Sequence, residues 1–179
     1  MNLTLVSTFI IGTMMLLAIV KINLNLAENS MDSMSDQQAK IQVDVIAGVV
    51  GYDLRKMGYR VEADNIVEAT PTKLTFRGDL EDNGSIDEIS WEVHQTTEVT
   101  ETPNPNDFLV TRTVNGDVTP IKLGVVKFEF SYYNAGMEPT SVLDEIKSVR
   151  VKVVTESTQP IAGKYMSAAW EKVFTPSNI

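Results

Sequence analysis

The first twenty residues of the chain are almost entirely apolar. The run LTLVSTFIIGTMMLLAIV (3–20) contains no Lys, Arg, Asp or Glu, and its polar members are Ser and Thr, whose hydroxyls can bond to the helix backbone. Eighteen residues at helical rise span roughly 27 Å, close to the thickness of a bilayer core. The pattern predicts a helix that is buried in a membrane or in the core of a polymer.

The helical pattern continues beyond this run. Apolar residues recur at steps of three and four in two groups: Leu24, Ala27, Met31 and Met34, then Ile41, Val45, Val49 and Leu54. No proline occurs before residue 70, and Gly58 shortly after Arg55 is typical of a helix end. We therefore expect one helix over 1–58, with 1–22 in a membrane or filament core and 23–58 amphipathic.

From residue 59 onward the pattern changes to strand-like alternation. Strands are predicted over 73–76, 89–93, 108–114, 118–123, 125–133 and 148–156, with a last strand over 164–174. The pair Asn115-Gly116 is the strongest hairpin signal among the turns. The prediction is an α+β fold, in which a long N-terminal helix packs on an antiparallel sheet of about six strands formed by a head of residues 59–179.

Charge and composition narrow the function. The chain of 179 residues carries a net charge of −9, and all of its charged side chains follow the apolar run. We expect no nucleic-acid partner, because phosphate binding needs clustered Lys and Arg. There is no cysteine and one histidine, His94, so thiol catalysis and Cys-ligated zinc are excluded and a catalytic triad is hard to build. We interpret His94 as a strand residue with its hydrogen bonds satisfied, and we expect no enzyme.

An acidic turn over 79–88 has two interpretations. Oxygen ligands around a glycine turn suit calcium, and the ligands would be Asp79, Glu81, Asn83 and Asp87. The spacing departs from an EF-hand, since Ser90 stands where the twelfth-position Glu would be. A plain hairpin turn, in which Asn and Gly allow positive φ, is the interpretation we favour. No other cofactor is expected.

Four stretches, in this order, resemble one known superfamily. They are the apolar helix with its amphipathic continuation, VVGYDLRKMGYRVE (49–62), LTFRGDLEDNGSIDEISWEV (74–93), and GVVKFEFSYYNAGM (124–137) followed by IKSVRVKVVTES (146–157). Together they resemble the type IV pilin and type II secretion pseudopilin superfamily, most of all its minor-pilin branch. The resemblance covers nearly the whole chain.

The resemblance implies a scaffold rather than a catalyst. Such subunits wait in the inner membrane with a processed, often N-methylated end, and then join an extracellular filament at the cell surface whose core is a bundle of their helices. The partners would be further copies of this chain. The implied filament-core residues are Leu3, Leu5, Phe9, Ile10, Gly12, Leu16, Leu17 and Val20.

Two departures from the family leave alternatives open. Leu5 stands where the family carries a glutamate that pairs with a neighbour's amino terminus, and the family's frequent C-terminal disulfide cannot form without cysteine. The apolar run also lacks the basic flank and cleavage site of a secretory signal. The chain is therefore either an unusual membrane anchor or a chain numbered from a processed end, and we favour the second interpretation. A minor or tip pseudopilin, and a membrane-anchored binding domain, remain the alternative functions.

Overall fold

One long helix opens the molecule. The fold comes from a computed structural model, which describes residues 3–179 and all of their side chains except those of Leu3, Leu5 and Glu98. The helix α1 (Leu3–Arg55) has 53 residues and is therefore about 80 Å long. It ends before Gly58, which adopts a left-handed φ of 73° and donates its N–H to the carbonyl of Arg77 at 2.8 Å. The predicted continuation of the helix past the apolar run is confirmed.

The head contains eight strands in two antiparallel sheets, each with its strands in sequence order. The first sheet consists of β1 (Ile66–Ala69), β2 (Lys73–Gly78), β3 (Asp87–Glu98), β4 (Phe108–Val114) and β5 (Asp117–Ile121). The second consists of β6 (Val125–Tyr133), β7 (Ser148–Glu156) and β8 (Ser167–Phe174), with a 3-10 turn over Leu143–Glu145. The predicted α+β class is confirmed, although the strands are more numerous than about six and form two sheets.

The difference in strand number has a local cause. Strand β1 has only four residues, IVEA, too short to show alternation in the sequence. The two sheets separate at Gly124, where a φ of 60° turns the chain out of the first sheet. The predicted hairpin at Asn115-Gly116 is confirmed, because φ is positive at both residues and the strands join through this two-residue turn.

The second half of α1 packs on the head. Ala39, Val43, Ile46, Val50 and Leu54 are buried, and their spacing of three and four residues places them on one helix face against β7 and β8. The hydroxyl of Thr155 donates to the buried carbonyl of Ala39 at 2.8 Å, which marks the point where the helix enters the head.

The opposite face of this half is also apolar. Ile41, Val45 and Val49 are 57%, 50% and 39% exposed, whereas Leu54, predicted to belong to the same stripe, is buried. The thirteen residues from Ile41 to Leu54 turn the helix by about 220° beyond three full turns, so these two side chains point to different sides. Placing Leu54 on this stripe was therefore wrong, and the helix carries apolar residues on two faces.

Aromatic side chains fill the space between the sheets. The ring of Trp91 stacks on Phe128 at 5.8 Å, and Phe128 meets Phe130 edge-on at 5.2 Å. All three are buried, and Tyr132 extends the row with its hydroxyl donating to the carbonyl of Thr70 at 2.7 Å. The aromatic core therefore joins the first sheet, through Trp91, to the second.

Candidate assembly surface and acidic turn

The apolar segment, residues 6–20 of α1, lies outside the head. The large apolar side chains along residues 6–26 are exposed, from 38% at Val6 to 71% at Phe9. They occur at consecutive positions on every side of the helix. A helix that is apolar all round is stable only in lipid or against other apolar helices. This helix is long and apolar enough to cross a membrane by length and composition.

The two threonine hydroxyl groups of the segment are satisfied within the helix. Thr8 donates to the carbonyl of Thr4 at 2.6 Å, and Thr13 donates to that of Ile10 at 2.9 Å. The space beside Gly12 is open, with no atom within 4 Å of a Cβ added there. The two threonines can therefore enter apolar surroundings with their hydroxyl protons paired, and Gly12 leaves room for another helix to approach.

Six of the eight implied filament-core residues lie in this segment. Five of them are exposed, and Gly12 lies open among them: Phe9, Ile10, Leu16, Leu17 and Val20. The backbone of Leu3 and Leu5 belongs to α1, but their side chains lie outside the described part of the chain. The partner of this segment stays a prediction.

The acidic turn is organised by Asp79. This buried carboxylate accepts hydrogen bonds from the backbone N–H of Asn83 at 3.0 Å and of Gly84 at 2.9 Å, and it pairs with Arg60 at 2.7 Å. Burial alone would raise the pKa of Asp79, but the N–H groups of Gly84 and Asn83 and the Arg60 guanidinium outweigh it. The pKa therefore lies below its ordinary value.

The other predicted ligands also have protein partners. One oxygen of Asp87 accepts from the N–H of Leu80 at 2.9 Å, and the other accepts from the amide of Asn115 at 2.7 Å. The Asn83 amide donates to the Glu81 carboxylate at 3.2 Å. Within residues 3–179 no group of three or more acidic or His side chains is placed to hold a metal ion. Calcium binding stays a prediction, and the geometry shows these oxygens as acceptors for the turn itself.

The acidic turn is attached to the end of the helix. Tyr52 of α1 donates its hydroxyl to the carbonyl of Leu80 at 2.7 Å, and Lys56 pairs with Asp82 at 2.6 Å. Lys56 and Arg60 both lie over the ring of Tyr59. Two of the stretches on which the resemblance depends, 49–62 and 74–93, are thus in direct contact.

A buried ion pair, not anticipated from the sequence, fixes the helix to the first sheet. Asp53 accepts from the indole N–H of Trp91 at 2.9 Å and from Arg112 at 2.7 and 2.9 Å. Trp91 and Arg112 are paired across β3 and β4, so both side chains reach the helix from one face of the sheet. The sequence held one signal for the burial of Asp53: the helical period places it on the same face of α1 as Val50.

His94 has the structural role expected of it. It is half-buried on β3, and its Nε2 lies 3.1 Å from the hydroxyl of Thr111 on β4. It contacts no second histidine, since the chain has only one.

Comparison of the chain with models of protein families, with curated proteins and with solved structures found no match. The architecture itself is plain: a long N-terminal helix with an apolar first part, whose second part packs on an antiparallel head. This arrangement is consistent with a pilin-like fold.

Proposed function

We propose that this chain is a structural subunit of an extracellular filament of the type IV pilus kind. In this filament the apolar helices bundle in the core and the β-rich heads face the solvent. The observation that carries the proposal is the apolar segment, which is exposed on all sides and continues as one unbroken helix into a folded acidic head.

Two kinds of surroundings can cover the apolar segment. Before assembly, lipid of the inner membrane satisfies it, because its length matches a bilayer core. After extraction, only similar helices offer an equally apolar and uncharged surface. The head carries the acidic charge, which keeps it in solvent in both states.

The test is recovery of the chain from the surface of the cells that produce it. Sheared surface filaments, dissolved in detergent, should contain the 19.8 kDa chain as the dominant band. Intact-mass measurement of that band reports processing and N-methylation together. Recovery in the membrane fraction alone, with no filaments, would instead favour a membrane-anchored binding domain and refute the proposal.

A minor or tip subunit is the second candidate. The apolar run favours it, since residues 3–20 contain no glutamate, and a subunit without the family's glutamate lacks the charge that pairs with a neighbour's amino terminus. A trace band in the same filament preparation, beside a different dominant chain, would identify this role.

A further inference from the structure

An apolar groove lies between α1 and the end of the first sheet. Its volume is about 440 Å³, within the range of pockets that hold small organic molecules. Six apolar residues line it, three on the helix and three at or just after the end of β5: Val45, Ile46, Val49, Pro120, Ile121 and Leu123. Both walls therefore offer aliphatic surface to a ligand.

The polar side chains of the groove can all donate hydrogen bonds. They belong to Arg112, Thr119 and Lys122, and none of the described residues that line the groove is Asp or Glu. Arg112 and Thr119 are directly opposite each other on β4 and β5, so their side chains project from the same face of the sheet. A ligand in the groove therefore needs an acceptor group, and an anionic one meets no carboxylate on the walls.

The guanidinium of Arg112 is held with one nitrogen unused. Its Nε and Nη2 donate to Asp53 at 2.7 and 2.9 Å, and among the described residues Nη1 has no hydrogen-bond partner. The Arg112 side chain keeps 20% of its surface exposed and lines the groove. Because Asp53 fixes the plane of the guanidinium, the N–H groups of Nη1 are preorganised for an acceptor in the groove.

Lys122 supplies a second cation at the groove. Its Nζ pairs with Glu101, but the two side chains are 40% and 62% exposed. An ion pair this exposed contributes little, so an anionic group of a ligand can take the place of Glu101 beside Lys122. The groove thus joins aliphatic walls to two cationic donors, a pattern that an amphiphile with an anionic head group complements.

The lipid of the bilayer that holds the apolar segment cannot reach this groove. From Val20 to Val45 the helix rises about 38 Å, more than the hydrocarbon thickness of a bilayer. Glu28, Asp32 and Asp36 lie on the helix between the two places and would have to enter the bilayer. A ligand of the groove must therefore arrive through water as a single dispersed molecule.

We infer that the groove binds a single-chain fatty carboxylate, with its aliphatic chain between the helix and β5 and its carboxylate at Arg112 and Lys122. The site is complete within one copy of the chain, so the inference goes beyond the proposed function and does not depend on it.

The test uses the full chain in phospholipid nanodiscs and a dodecanoate that carries a diazirine at the end of its chain. Irradiation at about pH 8, where the carboxylate is ionised, should label peptides that contain residues 45–49 or 119–123. Labelling of residues 6–20 reports probe dissolved in the bilayer and serves as the internal reference. Unlabelled dodecanoate should compete for the groove at a concentration about ten times lower than dodecanol, which has the same chain without the carboxylate.

Two pairs of variants locate the site. Val49→Asp places a carboxylate on the exposed groove wall, and Ile41→Asp makes the same change on α1 outside the groove. Lys122→Met removes a cation from the groove, and Lys127→Met removes an exposed one elsewhere. Relative to the reference labelling, groove labelling should fall about tenfold in Val49→Asp and about fivefold in Lys122→Met. It should change less than twofold in the two controls.

Three results would overturn the inference. Labelling confined to residues 6–20 would show that the groove holds no fatty carboxylate. Equal competition by dodecanol and dodecanoate, or equal labelling of Lys122→Met and Lys127→Met, would show that the carboxylate is not recognised. Equal labelling of Val49→Asp and Ile41→Asp would place the probe outside the groove.

Discussion

Removal of Arg112 should destabilise the head strongly, because it leaves Asp53 as a buried charge. In Arg112→Met the apolar stem is retained, but both guanidinium contacts to Asp53, at 2.7 and 2.9 Å, are lost. Of the three hydrogen bonds that this carboxylate accepts from Trp91 and Arg112, only the one from the indole N–H of Trp91 then remains.

The expected loss follows from the burial of Asp53, which has no exposed surface. Breaking a buried ion pair from one side costs about 3–5 kcal/mol. For a head of this size, that lowers the thermal midpoint by roughly 10–15 °C. The surface variant Arg77→Met is the matched control, since its 3.4 Å pair with Glu88 is 38% and 52% exposed and is worth under about 1 kcal/mol.

Guanidinium unfolding of the full chain in mild detergent, followed by tryptophan fluorescence, measures both variants. The double variant Asp53→Leu/Arg112→Met should be more stable than Arg112→Met, because it retains no buried charge and leaves only the Trp91 N–H unpaired, at about 1–3 kcal/mol. An Arg112→Met variant within 1 kcal/mol of the wild type would refute the reasoning. So would a double variant that is less stable than the single one.

Three further predictions concern the turn, the helix end and the apolar segment. The pKa of Asp79 is lower in the folded state than in the unfolded state, so its stabilising contribution is complete above about pH 4. This contribution is lost as the pH falls through the folded pKa. The difference in unfolding free energy between wild type and Asp79→Asn should therefore be constant near neutrality and shrink below about pH 4. Gly78→Ala places a Cβ against the backbone carbonyl oxygen of Lys56, just after the helix end, and should lower the free energy of unfolding by about 1–3 kcal/mol. Gly48→Ala, in open space on the helix, should raise it by about 0.5–1 kcal/mol. Ile11→Lys puts a charge near the middle of the apolar segment, which raises the free energy of membrane insertion by about 3 kcal/mol, roughly a hundredfold in partition. The variant should be lost from carbonate-washed membranes. The control Val118→Lys, at an exposed position of the head, should remain there.

Each of these has a clear contradicting result. A pH-independent effect of Asp79→Asn down to pH 2.5 would show that the charge of this side chain is not what stabilises the turn. Equal melting of the two glycine variants would contradict the close contact at Gly78. Retention of Ile11→Lys in membranes would mean that the segment is not held by lipid.

The local pattern of the chain was sufficient for its elements. The uncharged run, the absence of proline before residue 70 and the Gly58 stop predicted one long helix, because helix formation and termination depend on residues within a turn of each other. The alternation around Val149, Val151 and Val153, and the Asn115-Gly116 pair, located strands and a hairpin for the same reason. The apolar segment, the candidate assembly surface, was likewise visible as composition alone.

What only the tertiary structure decided is how distant elements face one another. Asp53, Trp91 and Arg112 lie 38 and 59 positions apart along the chain, and nothing local marks them as partners. The sequence suggested that the acidic turn around Asp79 holds a set of cation ligands. It does not show that backbone N–H groups of the turn and Arg60 already bind the carboxylate oxygens of Asp79. The exposed apolar face of Ile41, Val45 and Val49 could be recognised only once the head had covered the opposite face of α1. A helical period reveals which side chains share a face, whereas the crossing of helix and sheet determines which face is buried.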